Sequence, residues 1–352
     1  MRCLTLANAL RERGANCSFV CRTHQGHLLA LIAQHGHHVL AMPDLNDYSE
    51  PVSNGAAHAH WLGTDWTTDA QDTQQALSAH TCGVPVDWLV VDHYALDTRW
   101  EKELSQHAKH IMVIDDLADR AHICDVLLDQ NLGRNPEDYC GLLQGKTTTL
   151  IGPRYALLRP EFAALRAHSL ARRQGTLHLR NLLITMGGVD KDNATGQVLA
   201  ALRSCNLPAD LRVTVVMGPH APWLAQVQAQ AMQAPWPTEV LIGVNNMAQL
   251  MAESDLAIGA AGSTSWERCC LGLPCFMLVL APNQMSGATA LQRAGAAIAV
   301  ETYQQLSDLL NNQLSAQPAH EMLTQLSHSA AAVTNGMGYQ LVAEEMWRRV
   351  NA

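Results

Sequence analysis

Two spacings of apolar residues alternate along this chain. Short apolar runs such as Trp88–Val91 (WLVV) and Leu182–Met186 (LLITM) have the length and continuity of buried parallel strands. Between them, apolar positions recur every three or four residues, the spacing of helices packed on one face. Strands are expected at Cys17–Cys21, His38–Ala41, Trp88–Val91, Ile111–Ile114 and Val126–Leu128. A second series is expected at Leu182–Met186, Leu211–Met217, Glu239–Ile242, Leu256–Ile258 and Cys275–Leu280. The alternation predicts an α/β chain with parallel sheets. Two series predict two doubly wound halves, 1–158 and 159–352. The second half would carry a basic, polar linker (159–180) and the C-terminal helices. Pro43–Gly63 reads as loop.

The first element is unusual. Leu4, Ala7 and Leu10 fall on one face of a helix that Gly14 should end. No Ser, Thr, Asp or Asn precedes it to cap its first amides, and Met1 is already in register with the apolar face. Arg2, Arg11, Glu12 and Arg13 make it too polar for a signal peptide. An α/β domain ordinarily opens with a strand and a loop that feeds the first helix. Neither precedes this helix in the sequence, and on these residues alone a native helical start is the favoured reading over a lost strand and loop.

Composition narrows the class. A length of 352 residues with 48% hydrophobic residues suits two globular domains. A formal charge of −9 without any Lys/Arg run disfavours nucleic acid as a partner. No apolar run approaches the length of a transmembrane helix, so no membrane partner is expected. The ten cysteines lack a CxxC and include the adjacent Cys269–Cys270, which reads as buried free thiols in a reducing cytoplasm. His35, His37, His38, His58 and His60 have no Cys or carboxylate partners at ligand spacing. A cytoplasmic monomer without metal or cofactor is the expectation.

Candidate chemistry sits in loops that follow strands, where open α/β sheets bind ligands. The segment Leu256–Pro274 (LAIGAAGSTSWERCCLGLP) runs from strand through Gly259 and Gly262 into Ser263, Thr264 and Glu267. Glycines let a diphosphate approach backbone, helix-start amides and hydroxyls donate to it, and a carboxylate can accept from ribose hydroxyls. Met186–Asp190 brings Gly187 and Gly188. Asp92-His93-Tyr94 places an acid, an imidazole and a phenol after Trp88–Val91, and Pro282-Asn283-Gln284 supplies amides. Asp115-Asp116 reads first as a capping or solvated pair and stays open as a substrate contact.

The series MGGVD, LIGVNNMAQLMAESDLAIGAAGSTSWE and LGLPCFMLVLAPNQ is similar to the nucleotide half of GT-B sugar-nucleotide enzymes. That group includes the UDP-N-acetylglucosamine transferase of peptidoglycan synthesis, and it is glycosyltransferase family 28-like. DHYALD, IDDLADRAHICDVLLDQN and YALLRPEF add a closer resemblance. They look like the UDP-2,4-diacetamido-2,4,6-trideoxy-β-L-altropyranose hydrolases of pseudaminic acid biosynthesis. The resemblance covers about residues 1–300 and implies a GT-B fold, two Rossmann-like domains facing a cleft. It also implies metal-independent hydrolysis of the UDP-sugar with inversion at the anomeric carbon. Glu267 would bind ribose, and Gly262, Ser263 and Thr264 the diphosphate. The Gly187–Gly188 and Ile242 loops would frame uracil, and Asn283 and Arg159 would contact substrate. Tyr94 and His93 would lie beside the sugar, with Asp92 in support.

Members of that family open with G-x-G-H-x-x-R-C-L-x-L-A, whose histidine is the proposed proton acceptor for water. Met1–Ala7 matches the part after this histidine. The main base is therefore expected ahead of Met1, and low hydrolase activity is expected of the chain as it stands. Two other readings remain open. One is a GT-B glycosyltransferase using a UDP-N-acetyl sugar; the other is a non-catalytic UDP-sugar binding protein, if the short start is native.

Overall fold

The computed structural model describes residues 1–45, 58–175, 178–314 and 318–351. The chain divides into two compact units. One joins Met1–Leu157 to Gly338–Ala352, and the other spans Leu158–Met337.

The first unit begins with α1 (Arg2–Glu12), β1 (Ser18–Arg22), α2 (Leu29–Gln34) and β2 (His38–Met42). A 3-10 turn at Ala59–Leu62 leads to α3 (Trp66–Thr81), β3 (Val86–Val91) and α4 (Thr98–Leu104). Then come β4 (Ala108–Ile114), β5 (Val126–Asp129) and β6 (Thr148–Ile151). The expected loop Pro43–Gly63 falls largely at 46–57, outside the described residues.

The second unit runs α5 (Pro160–Arg172), β7 (Asn181–Thr185), α6 (Ala194–Arg203), β8 (Arg212–Met217), α7 (Leu224–Met232) and β9 (Thr238–Ile242). It continues α8 (Met247–Glu253), β10 (Leu256–Ala260), α9 (Thr264–Cys270) and β11 (Cys275–Leu278). It closes with α10 (Met285–Arg293), β12 (Ile298–Val300), α11 (Tyr303–Leu314) and α12 (Pro318–Val333). The last helix, α13 (Gly338–Val350), returns to the first unit.

In the second unit six parallel strands pair in the order β12-β11-β10-β7-β8-β9. The order reverses at β10 and β7, whose registers run Leu256↔Leu182 to Gly259↔Thr185. A doubly wound sheet opens a crevice for ligand at the carboxyl ends of such a pair. Leu182, Leu183, Ile184, Leu256, Ala257 and Ile258 are fully buried, which is why both strands read as continuous apolar runs. Asp255 locks the entry to both strands. Its Oδ2 accepts from the amides of Arg180 (2.9 Å) and Asn181 (2.7 Å), and its Oδ1 accepts from the Arg172 guanidinium.

The first unit contains two parallel sheets, β3-β4-β5-β6 and the pair β1-β2. Among the described residues, one edge of β1 and one edge of β3 carry no paired strand. The two sheets nevertheless share their flanking layers. Cys17, just before β1, packs with the cluster of Met112, Ile114, Val126 and Leu128, while Val20 packs with that of Val91, Ile111 and Val113. Residues of β1 and β3 are mostly half-buried where β5 is buried throughout. An unpaired edge has that effect on strands that should lie inside a sheet.

Three expectations need correction. Helix α13 does not belong with 159–352: Tyr339, Val342, Ala343 and Met346 bury themselves beside Leu6 and Leu10 of α1, and the Trp88 indole donates to the Met346 carbonyl (3.2 Å). Two strands went unread, β6 because it opens with two threonines and β12 because it is only three residues long. All ten cysteines are free, but Cys82 and Cys140 are exposed and Cys3, Cys17 and Cys21 only half-buried, so the expectation of buried thiols holds for five of the ten.

Candidate functional site

The sheet of the second unit gathers most of the expected binding residues at one edge. Gly187 and Gly188 follow β7, Ile242 ends β9, Gly262–Glu267 follow β10 and Asn283 follows β11, all at carboxyl ends of parallel strands. Gly187 has φ +94°, a conformation that favours glycine, and no atom within 4 Å of where a Cβ would stand. Gly188 and Gly262 are equally open. Ile242 is exposed, and so is Asn283 in the 3-10 turn Pro282–Gln284.

The Gly262 loop is stiffened from beneath. Arg268, only 2% exposed, donates from Nη2 to the Ala260 carbonyl (2.8 Å) and to Ser265 Oγ (2.9 Å). Its Nη1 donates to Thr264 Oγ1 at 3.3 Å, which leaves the threonine proton free to point elsewhere. A side chain at Gly259 would collide with this guanidinium. Ser263 stands at the start of α9 without capping it, so the helix begins with amides that no side chain satisfies.

Glu267 lies one turn into α9, and its carboxyl accepts no hydrogen bond from the described residues. Burial pushes its carboxyl up to about 7, against the nearby positive charges of Arg159 and Arg268. A carboxyl so placed can accept hydrogen bonds from a ligand. Arg159 also pairs with Glu161 (2.9 Å), so it stands near the carboxylate as a shared cation. Asp190 of the MGGVD loop is taken up locally instead. It sits at φ +46° and accepts from the amides of Ala194 (2.8 Å) and Thr195 (2.9 Å), which caps α6.

In the first unit, Asp92, His93 and Tyr94 follow β3. Asp92 is not a free acid: Arg2 Nη2 donates to its Oδ1 at 2.7 Å and Cys3 Sγ to its Oδ2 at 3.0 Å. Burial raises its carboxyl, but the Arg2 charge and these bonds outweigh that and hold it below the ordinary carboxylate range. His93 Nδ1 accepts from the Ala95 amide (3.1 Å), and burial lowers its affinity for a second proton, so the neutral ring carries its proton on Nε2. Tyr94 donates to Asp116 Oδ2 at 2.7 Å; burial and that carboxylate keep its phenol protonated.

Asp115 resolves to a structural role. It is fully buried, accepts from the amides of Leu117 (3.3 Å) and Ala118 (2.9 Å), and pairs with Arg120 (2.9 Å). Its neighbour Asp116 takes Tyr94 and Arg2 instead.

Residues 181–343 match the glycosyltransferase family 28 C-terminal domain. MurG of Acinetobacter baumannii superimposes with a TM-score of 0.69 at 16% identity, over 99% of this chain and 95% of that one. The fold is GT-B. An uncharacterized protein of Methanocaldococcus jannaschii, MJ1062, is 24% identical over 290 residues. The match spans 81% of this chain but only about half (52%) of that relative. The UDP-2,4-diacetamido-2,4,6-trideoxy-β-L-altropyranose hydrolase of Campylobacter jejuni is 28% identical over 209 residues, 59% of this chain and 71% of that enzyme.

Four residues of this GT-B chain give no clear functional signal in the sequence. Gly218, after β8, must be glycine because a Cβ there would overlap the Gly188 carbonyl. Arg268 carries the loop from inside the core, where an arginine gives no outward signal. Asp116 was visible only as half of an acidic pair, and Arg2 only as a polar residue on a helix.

Proposed function

We propose that this protein binds a UDP-sugar and hydrolyses it to UDP and the free sugar, with inversion at the anomeric carbon. The observation that carries the reading is Glu267: a carboxyl without a hydrogen-bond donor among the described residues, one turn beyond an open glycine loop, at the switch point of the family 28-like sheet. In this reading Glu267 accepts from both ribose hydroxyls. Gly262, Ser263 and Thr264 donate to the diphosphate, Gly187, Gly188 and Ile242 border the uracil, and Asn283 and Arg159 contact substrate.

The residues of the first unit act on the sugar. Water oxygen attacks C1, the C1–O bond breaks, and UDP departs with the bonding electrons while a base takes the water proton. Asp92 is tied to Arg2, so it supports the cluster and is not the base. Tyr94, oriented by Asp116, and neutral His93 can hydrogen-bond to sugar oxygens. In the resembled family the base is the histidine of a G-x-G-H loop, and no histidine from Met1 onward takes that role in this reading. Diphosphate charge that develops on departure is met by loop amides and hydroxyls, so the reaction needs no metal.

A glycosyltransferase using a UDP-N-acetyl sugar is the second reading, favoured by the family 28 domain match. One assay separates them. The protein, alone and extended by such a loop, is mixed with the UDP-altropyranose substrate with and without acceptor sugars. UDP release without acceptor supports hydrolysis, and release only with acceptor refutes it. Binding without release by the extended chain leaves a binding protein.

A further inference from the structure

We propose that Trp61, with His58 and Tyr94, forms a platform in the first unit that stacks on the apolar face of an N-acetylated or deoxygenated pyranose. The proposal deepens the sugar-nucleotide reading and takes its ligand class from it. Trp61 is 46% exposed, so a large part of its indole face is open to a ligand. Its ring lies 4.5 Å from that of His58 and 5.8 Å from that of Tyr94, and His58 and Tyr94 are 5.7 Å apart. The three rings are mutually tilted by 39–46°, so they support one another through part of each surface only.

The platform is held firmly. Trp61 belongs to the 3-10 turn Ala59–Leu62, which ends at Gly63 with φ +71°. Leu62 is buried in the core of the first unit, and His24 Nε2 donates to its carbonyl at 3.2 Å. Tyr94 is fixed at its other end by Asp116. One side of the Tyr94 ring therefore meets aromatic surface while its hydroxyl meets the polar group of Arg2, Asp92 and Asp116. A pyranose is divided in the same way. Its C–H bonds carry slight positive charge and are drawn to the negative face of an aromatic ring, while its hydroxyls seek polar partners. Acetamido methyls and a deoxy methyl enlarge the apolar part, so such sugars gain most from a tryptophan.

Saturation-transfer NMR with two probes, UDP-N-acetylglucosamine and methyl N-acetyl-β-glucosaminide, tests the assignment. Trp61→Ala is expected to cut transfer to the pyranose and acetyl protons about three- to tenfold, with transfer to the uridine protons unchanged. Trp61→Phe should restore most of the sugar signal. Thermal melting checks that the exposed substitution leaves the fold intact. Equal sugar transfer in wild type and Trp61→Ala overturns the platform. So does absence of transfer to the glucosaminide in wild type, or a Trp61→Ala effect confined to self-association in sedimentation. Absence of uridine transfer in wild type sinks the nucleotide reading separately, since the glucosaminide still decides the platform.

Discussion

Arg2 holds Asp92. Its guanidinium donates to Asp92 Oδ1 at 2.7 Å and reaches Asp116 Oδ2 at 2.6 Å, so one cation from the first turn of α1 joins the loops after β3 and β4. The Tyr94 hydroxyl ends on the same Asp116 oxygen. This chain of charge and hydrogen bonds decides which groups in the first unit are free to act. Asp92 and Asp116 are occupied, whereas the Tyr94 oxygen and the His93 Nε2 proton remain available among the described residues.

Arg2→Met removes the cation from exposed Asp92 and half-buried Asp116. A loss of about 1 kcal/mol is expected in urea unfolding near neutral pH. The Asp92 carboxyl is depressed in the folded protein, so its stabilisation is present above the ordinary carboxylate range and is lost as pH falls through the folded value. The deficit of Arg2→Met should therefore shrink in acid. A deficit independent of pH would dissociate Arg2 from Asp92.

Asp255 gathers two backbone amides and an arginine at the base of the second sheet, on the side away from the ligand loops. Asp255→Ala is expected to cost about 2–4 kcal/mol of stability while UDP affinity stays within about twofold. Calorimetric titration beside thermal melting checks both halves. A large affinity loss in a variant that melts like wild type would show that Asp255 acts on the ligand.

The Glu267 carboxyl is raised from 4.5 to about 7 in the folded protein by burial. The folded state therefore holds more protons than the unfolded state between these values, and Glu267 makes stability fall as pH rises through that window. Ribose hydroxyls donate to the ionised form, so UDP binding should release a proton near pH 6.5 and strengthen as pH rises towards 8. Titrations in two buffers of different ionisation enthalpy measure that proton. Glu267→Gln should release none; equal release in the variant would assign the proton elsewhere.

Much of this architecture could be read from residue order. The apolar runs of β7 and β10 announced a buried parallel sheet, and the glycines after them announced where backbone is approachable. Contacts made through space were hidden. The stripe of Tyr339, Val342 and Met346 shows that α13 is amphipathic but not which core it covers. Gly218 is required by a carbonyl from a different loop, and Asp116 by a tyrosine 22 residues earlier. Neither requirement leaves a local pattern.

Among the described residues, one edge of β1 and one edge of β3 carry no paired strand. Both strands already pack into the same two layers, so a parallel strand that pairs with each would bury surface now half exposed. A chain extended ahead of Met1 by an apolar strand and a G-x-G-H loop is expected to melt several degrees higher, on the order of 4 °C or more. It is also expected to hydrolyse the UDP-sugar in EDTA, giving the inverted anomer in proton NMR before mutarotation. Lower stability of the extended chain would count against a strand at those edges. Activity lost to EDTA and recovered with magnesium would refute charge stabilisation by amides alone.

UDP affinity with and without Glu267 tests the central claim, a nucleotide site built on the Gly262–Glu267 loop. Isothermal titration at pH 8 compares wild type with Glu267→Ala. Wild type should bind UDP saturably and the variant should lose about 1–3 kcal/mol, because the ribose hydroxyls lose their acceptor in a partly buried site. Equal affinity in the two proteins would contradict it.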